Sequence, residues 1–519
     1  MGEEGGGRSC GTTRDLQKLK QQAMEYYREN DVPRRLEELL NSTFYLQPAD
    51  VYGHLANCFS KLAKPPTICK VVGKNVLDGL GLPTLQVEIF CTIQNFPKNI
   101  CSVVISTHFE VHENALPELV EAEELERSDA VSTAVRWVNE TITEELQGLA
   151  PSNQAEVDQV LRTFFESKVQ EDKERKELEK SLEDSTVPTP SPLTPPPPPP
   201  PPAKKKGQKQ GRKDTLTEKP IVPPEPVEPT LCGSMAIGAV SLAVAKTSAV
   251  LGNNPLYLNI ALLKHHQDQP AKLTIPLLMV SLVSCGKASP GKLNLMKEVI
   301  CIPHPGLTAK QGVDMLLEIQ KHINKTIEMS PPPKPETKKG HNGGGKRGQD
   351  SEQWDSTYNA LGSKCYIIAG TASKSISKLL EDGNIGILRC SGLIVKHTNQ
   401  TTMSDLVEMT NLIDSKKHIT VFGSAEGESS DDSLVDLAVG LGVRFIKLGG
   451  LSRGERVTKY NRLFTIEEEL VQNGTLGFSE EHTFFYLNEE AEKAAMAGEL
   501  PEPPKPIFAT EVVEQSAKT

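Results

Sequence analysis

Between residues 418 and 470 the chain alternates two hydrophobic periods. Short β-branched runs at 418–422 (HITVF) and 443–447 (VRFIK) flank a segment with Leu434, Leu437, Ala438 and Leu441 at i, i+3, i+4 and i+7. Strand runs alternating with a helical period predict βαβ units and a parallel sheet. The second run ends in a cation, Lys447, followed by Gly449 and Gly450, and the next helix is expected to open on the capping pair Ser452 and Glu455. A charge at the carboxyl end of a buried strand is where α/β barrels place chemistry. A strand-end lysine leaving for solvent accounts for the same pattern.

Upstream, Leu16, Leu19, Ala23 and Tyr27 lie on one helical stripe over residues 15–30. A second helix is predicted from Val32-Pro33, carrying Leu36, Leu39 and Leu40, and a third carries Leu55, Phe59 and Leu62 after a turn at 47–50. Helices this short cannot bury their apolar faces alone. From Thr67 the period becomes strand-like, with turn residues Gly79, Gly81 and Pro83, and 99–107 (NICSVVIST) supplies a further strand. Helices are predicted over 130–147 and 154–165, then a charged helix over 166–184 with little apolar face. Residues 187–228 contain a proline octet and a lysine-rich run, and 330–349 are rich in proline, glycine and lysine; both read as linkers.

Composition narrows the classes. A net charge of -11 and a pI near 5.6 argue against broad nucleic-acid affinity, so no nucleic-acid partner is expected. The most apolar window, 235–251, carries Lys246 and falls short of a membrane span, and the first residues lack the apolar core of a signal peptide. No membrane partner and a cytoplasmic location are therefore expected. Ten cysteines without a CxxC pair fit reduced core thiols rather than a disulfide frame or zinc site.

GESSDDSLVDLAVGL, IKLGGLSRGER and TKYNRLFTIEEEL resemble the carboxyl-terminal end of enolases. The likeness extends to 71–89, similar to the opening of the enolase amino-terminal domain, to GSMAIGAVSLAVAKTSAVLGNNPLYLNIALL from Gly233, and to LTIPLLMVSLVSCGKASPGKLNLMKEVICIPHPG. The resemblance implies an α/β protein: an enolase-like α+β amino-terminal domain plus an incomplete (β/α) barrel, preceded by a small helical module. The expected layout is a tail at 1–14, a helical module at 15–64, the amino-terminal-like domain and charged helix at 65–184, and a linker at 185–229. The first part of the barrel follows at 230–329, a linker replaces several strands at 330–350, the last part of the barrel occupies 351–480, and a tail runs over 481–519. Residues 15–64 are also similar to docking-and-dimerisation modules of cyclic-AMP-dependent kinase regulatory subunits and their flagellar relatives. That likeness implies a homodimer offering a platform to a partner's amphipathic helix, and a flagellar or ciliary location.

The enolase resemblance implies dehydration of 2-phosphoglycerate to phosphoenolpyruvate by a lysine base assisted by magnesium. On the matched motifs, Lys396 falls at the catalytic base, and Glu298 and Lys447 at substrate-binding positions. The departures weigh against turnover. The family histidine upstream of Glu298 is Ser289, the mobile-loop region 105–115 offers Ser106 and Thr107 but lacks the family glycines, and the phosphate-binding His-Arg-Ser triplet is Ser424-Ala425-Glu426. Magnesium is the cofactor by resemblance, yet its ligands are not found: two carboxylate motifs and the proton-donor glutamate fall in strands skipped between Ile323 and Trp354. The third carboxylate motif aligns with the acid-free Ile368-Ala369-Gly370-Thr371. Two functions are thus expected as rivals, a weak phosphopyruvate hydratase and a non-catalytic enolase-derived scaffold of the sperm flagellum.

Overall fold

A computed structural model describes residues 9–106, 117–185, 231–284, 298–329, 368–370, 392–397, 399–424 and 428–478. Contacts divide the chain into two compact units, Met1–Pro66 with Thr92–Pro97, and Thr67–Cys91 with Lys98–Thr519.

In the first unit the three expected helices form: α1 (Ser9–Glu29), α2 (Val32–Leu46) and α3 (Val51–Leu62). Asp31, at φ 54°, turns α1 into α2, and Pro33 occupies a first-turn position where its missing N–H leaves no bond unmade. Asp50 caps α3 by accepting from the Gly53 amide at 2.8 Å. Thr43 is the one buried residue of α2, and α3 has none. Leu16, Leu19, Leu40, Phe44 and Tyr45 are exposed, and Tyr52 is 85% exposed. The described helices therefore have almost no core of their own. The hairpin tip Thr92–Pro97 belongs to the same unit, with Gln94 donating to the Ser60 hydroxyl at 2.8 Å.

A three-stranded sheet in sequence order follows, β1 (Thr67–Leu77), β2 (Pro83–Ile93) and β3 (Phe96–Val104), of which all but Thr92–Pro97 belongs to the second unit. Helix α4 (Pro117–Trp137) passes through a π turn (Val138–Ile142) into the short α5 (Thr143–Glu145). This segment satisfies part of β1: Val71 donates to the Thr143 hydroxyl at 2.8 Å, and the Asn139 amide accepts from Gly73 N and donates to Gly73 O. The two helices predicted over 154–184 are one, α6 (Gln154–Ser185). No glycine or proline interrupts it, so the charged half continues the buried half.

The barrel-like part carries α7 (Met235–Leu251), α8 (Leu256–Lys264), β4 (Leu273–Thr274), β5 (Leu277–Ser284), β6 (Glu298–Cys301) and α9 (Ala309–Met329). It continues with β7 (Ile368–Gly370), β8 (Gly392–Val395), α10 (Met403–Ser415), β9 (Ile419–Gly423), α11 (Ser433–Gly440), β10 (Phe445–Gly449), α12 (Gly454–Gln472) and β11 (Leu476–Gly477). Six strands form one sheet in the order β6-β5-β10-β9-β8-β7, with β6 antiparallel to β5 and the rest parallel. Among the described residues the sheet does not close into a ring. Its apolar centre is Ile419, Val421 and Phe445, packed with Leu277, Met279 and Ile394; each fully buried side chain of this kind contributes about 1.5–3 kcal/mol.

Two local expectations need correction. Helix α12 starts at Gly454, and Arg453, with φ 80° and no side-chain cap, precedes it, so Ser452 and Glu455 do not form a capping pair. The reciprocal box is on α10, where Thr402 and Asp405 bond to each other's amides at 3.1 and 3.0 Å. Of the described cysteines Cys91 is buried, whereas Cys232 is exposed and Cys58, Cys69, Cys101 and Cys301 are half-buried, so core thiols are the exception. No single helix among the described residues is long and apolar enough to cross a membrane.

Helix α7 is buried along most of its length, and its small residues allow close approach. Gly238 N donates to Asn399 O at 2.9 Å, and a Cβ at Gly238 would lie 2.5 Å from that oxygen. The loop after β8 is thereby pressed onto α7. Beneath it the buried Asp158 carboxylate accepts from the hydroxyls of Ser241 and Ser404, each at 2.6 Å, joining α6, α7 and α10. His397 is buried in the same place, its Nε2 donating to Thr401 O at 3.1 Å.

Burial pushes the His397 imidazole from 6.5 down to about 4. The unfolded chain takes up this proton below about pH 6.5 and the folded chain only near pH 4, so stability from this group is present above 6.5 and is lost as pH falls through that window. The shift corresponds to roughly 3 kcal/mol. The stability difference between the parent and His397→Gln, measured by urea unfolding, should shrink by about that amount from pH 7 to pH 4; a pH-independent difference would contradict the buried neutral histidine.

Candidate functional site

The carboxyl ends of β8, β9 and β10 bring the sequence-selected lysines to one level of the sheet. Val395 pairs with Phe422 across β8 and β9, and Gly423 pairs with Lys447 across β9 and β10, so Lys396, Gly423 and Lys447 form one row. In-register neighbours project from the same face of a parallel sheet. Glycine at the middle of the row leaves space that Lys396 crosses, its Cγ 3.7 Å from where a Gly423 Cβ would stand. Lys447 does not mark the strand's exit, because β10 continues to Gly449.

Glu298, at the start of β6, forms an ion pair with Lys447 Nζ through Oε1. The two side chains are 24% and 28% exposed, so the pair is half-buried and its charges largely cancel. The structure thus joins Glu298 to Lys447 and sets Lys396 one strand away. Ser289, Thr107, Thr371, Ala425 and Glu426 lie outside the described residues. Ser106 is described, and its hydroxyl accepts from Ser429 N at 3.2 Å. Ser424 N donates to Lys447 O at 3.2 Å, and its hydroxyl bonds Glu428 Oε1 at 3.1 Å.

Sequence reading passed over the second half of this end. Glu428 is 5% exposed and receives Lys459 Nζ on Oε2 at 3.2 Å and Arg456 Nε on Oε1 at 3.3 Å. Lys459 is 1% exposed and has its other donors on Ser429 O and Glu455 O at 2.8 and 2.7 Å. A buried ammonium with three oxygens is satisfied in both charge and geometry. The Arg456 guanidinium lies against the end of β10: a Cβ on Gly449, which has φ 82°, would be 2.9 Å from its Cζ. The available signal was the run GLSRGER, where two cations follow a strand that ends in two glycines.

The family model of the enolase C-terminal TIM barrel domain matches residues 345–483. A human protein called Enolase 4 is 70% identical, with 100% of this chain and 99% of that protein covered. The chain belongs to the enolase family. A mouse Enolase 4 is 60% identical over 100% of both chains, and a Xenopus laevis Enolase 4 is 42% identical over 92% of this chain and 96% of that protein. The human and mouse alignments run over 621 positions against 519 residues here, so on the order of a hundred positions of those relatives have no counterpart in this enolase-family chain.

Enolases generally use magnesium, and the donor set here does not fit it. A magnesium site needs oxygen ligands, one or two of them carboxylates. The stretch Ile368-Ala369-Gly370 on β7 has no acid, and Glu298 is engaged by Lys447. Among the described residues no three His, Cys, Asp or Glu side chains are grouped to hold an ion. No step through the metal follows from this arrangement.

Removing one member of a buried ion pair leaves the other uncompensated, at a cost of about 3–5 kcal/mol. Lys459→Ala should therefore lower stability to urea by about that much, and adding Glu428→Gln to it should recover part of the loss. Strict additivity of the two changes would mean that the pair does not hold the segment.

Proposed function

We propose that this chain is an enolase-family assembly protein whose barrel no longer turns over 2-phosphoglycerate. One observation carries the reading: Glu298 neutralises Lys447, so the lysine at the family's substrate position spends its charge within the protein. Loss of a proton next to a carboxylate builds a dianionic intermediate, which needs concentrated positive charge to form. The acid-free Ile368-Ala369-Gly370 and the carboxylate motifs absent from the sequence argue in the same direction. A second reading, a weak hydratase, draws support from Lys396, which keeps the family base position beside Lys447.

The assembly role rests on α1–α3. Three helices with Leu36, Leu40 and Phe59 exposed and Leu39 half-buried need a second apolar surface. A second copy supplies one, since two-fold dimers are the commonest closed assembly. A dimer of these helices then offers a groove for a partner's amphipathic helix, in keeping with the resemblance to flagellar docking modules. Cytoplasm and flagellum are the locations this reading entails.

Purified full-length chain mixed with 2-phosphoglycerate and magnesium should give no rise in absorbance at 240 nm, and Lys396→Ala should change nothing. Magnesium-dependent turnover that vanishes in Lys396→Ala would establish the hydratase instead. In sedimentation the parent chain should run as a dimer and the Leu39→Glu, Leu40→Glu double variant as a folded monomer; a monomeric parent would remove the basis of the assembly reading.

A further inference from the structure

Glu428 carries one negative charge and touches two cations. Lys459, buried and saturated by Glu428 and two carbonyls, accounts for that charge on the inner side. Arg456, whose side chain is 25% exposed, is left with a positive charge that the cluster does not balance. Only its Nε is engaged, by Glu428; among the described residues its two Nη groups have no hydrogen-bond partner. The neighbouring acid in sequence, Glu455, has a carboxylate oxygen 3.9 Å from Arg453 and packs against Gly79.

The guanidinium is also held in place. Gly449 admits it against the strand end, with Cζ and Nε both 2.9 Å from the site of the absent Cβ, and the next residue is a second glycine, with Nη1 3.6 Å from its Cβ site. Gly449 O is fixed by Tyr460, whose hydroxyl donates to it at 3.2 Å. Glu428 holds Nε from the other side. A planar fork with its position set and its outer N–H groups free is a bidentate receptor for an oxyanion. It lies at the level of the strand ends that carry Lys396 and Lys447.

We infer that Arg456 forms an anion-binding subsite at the carboxyl end of β10, taking a phosphate or carboxylate group on its two Nη atoms. The subsite supplies charge recognition in a chain whose sequence Ser424-Ala425-Glu426 carries no cation. It is independent of turnover: the receptor consists of Arg456, Glu428, Lys459 and the two glycines, none of which is asked to move a proton. Failure of the hydratase test and failure of this subsite are therefore separate outcomes.

The test uses the full-length chain with inorganic phosphate and with acetate as probes, at constant ionic strength set by chloride. Calorimetry should register binding of at least one probe, weakened roughly tenfold or more in Arg456→Gln, as expected for loss of a charged bidentate contact. Equal binding by the parent and a folded Arg456→Gln would overturn the assignment, as would binding of neither probe. A second measurement needs no variant: the arginine reagent phenylglyoxal, with peptides mapped by mass spectrometry, should modify Arg456 more slowly in the presence of the probe that binds. Protection by phosphate alone identifies a phosphate subsite and protection by acetate a carboxylate one; modification of Arg456 at the same rate with and without both probes would refute it.

Discussion

The buried pair of Glu428 and Lys459 is the constraint on which the second unit depends. Glu428 and the residues just after it form a seam between the three-stranded sheet and the barrel strands. Gly79 N donates to Glu428 O at 2.7 Å, Ser429 Oγ donates to Val104 O at 2.8 Å, and Asp431 Oδ2 accepts from Val104 N at 3.1 Å. On the other side Lys459 anchors the same segment to α12. Such a pair contributes little net stability once desolvation is counted, but it tolerates no alternative partner. The carboxylate must sit where both Lys459 and Arg456 reach it, which fixes the loop after β9 and, with it, Ser424 beside Lys447.

The local pattern of this chain was legible because it depends on neighbours in sequence. Leu434, Leu437 and Ala438 fall on α11, with Leu441 as its C-cap, and the β-branched runs became β9 and β10 with shifts of one or two residues at their ends. The break between the helices at 154–165 and 166–184 was not real, because a loss of apolar face changes what a helix touches and not whether it continues. The capping pair failed for another reason. Arg453 at φ 80° and Gly454 set the entry of α12 by backbone conformation, and a four-residue side-chain motif carries no information on that.

The candidate site was half legible. Lys396, Glu298 and Lys447 could be selected from motif matches, and the register of β8, β9 and β10 brings the two lysines level. Their pairing could not be read: Glu298 and Lys447 are 149 residues apart, and only the antiparallel turn of β6 against β5 brings the acid to the lysine. Glu428, Arg456 and Lys459 escaped notice because a buried charge looks like a solvated one in a sequence. What distinguishes them is the loss of water around them, which is a property of the packed loop and helix.

In the six-stranded sheet the first parallel strand in sequence, β5, pairs with the last, β10, with Phe445 opposite Leu277 and Lys447 opposite Met279. The contact that joins the start of a barrel to its end is therefore kept. Among the described residues the two outer strands of the sheet are β6 and β7, and between them in sequence lie α9 and the proline-rich stretch 330–349. The strand ends that carry Lys396 and Lys447 belong to β8 and β10, inside those two edges, and the Arg456 cluster packs on the end of β10. A parallel sheet hydrogen-bonds strand to strand, so each of these strands takes its register from its immediate neighbours. The common level of Lys396 and Lys447 is therefore set by the inner pairings of the sheet.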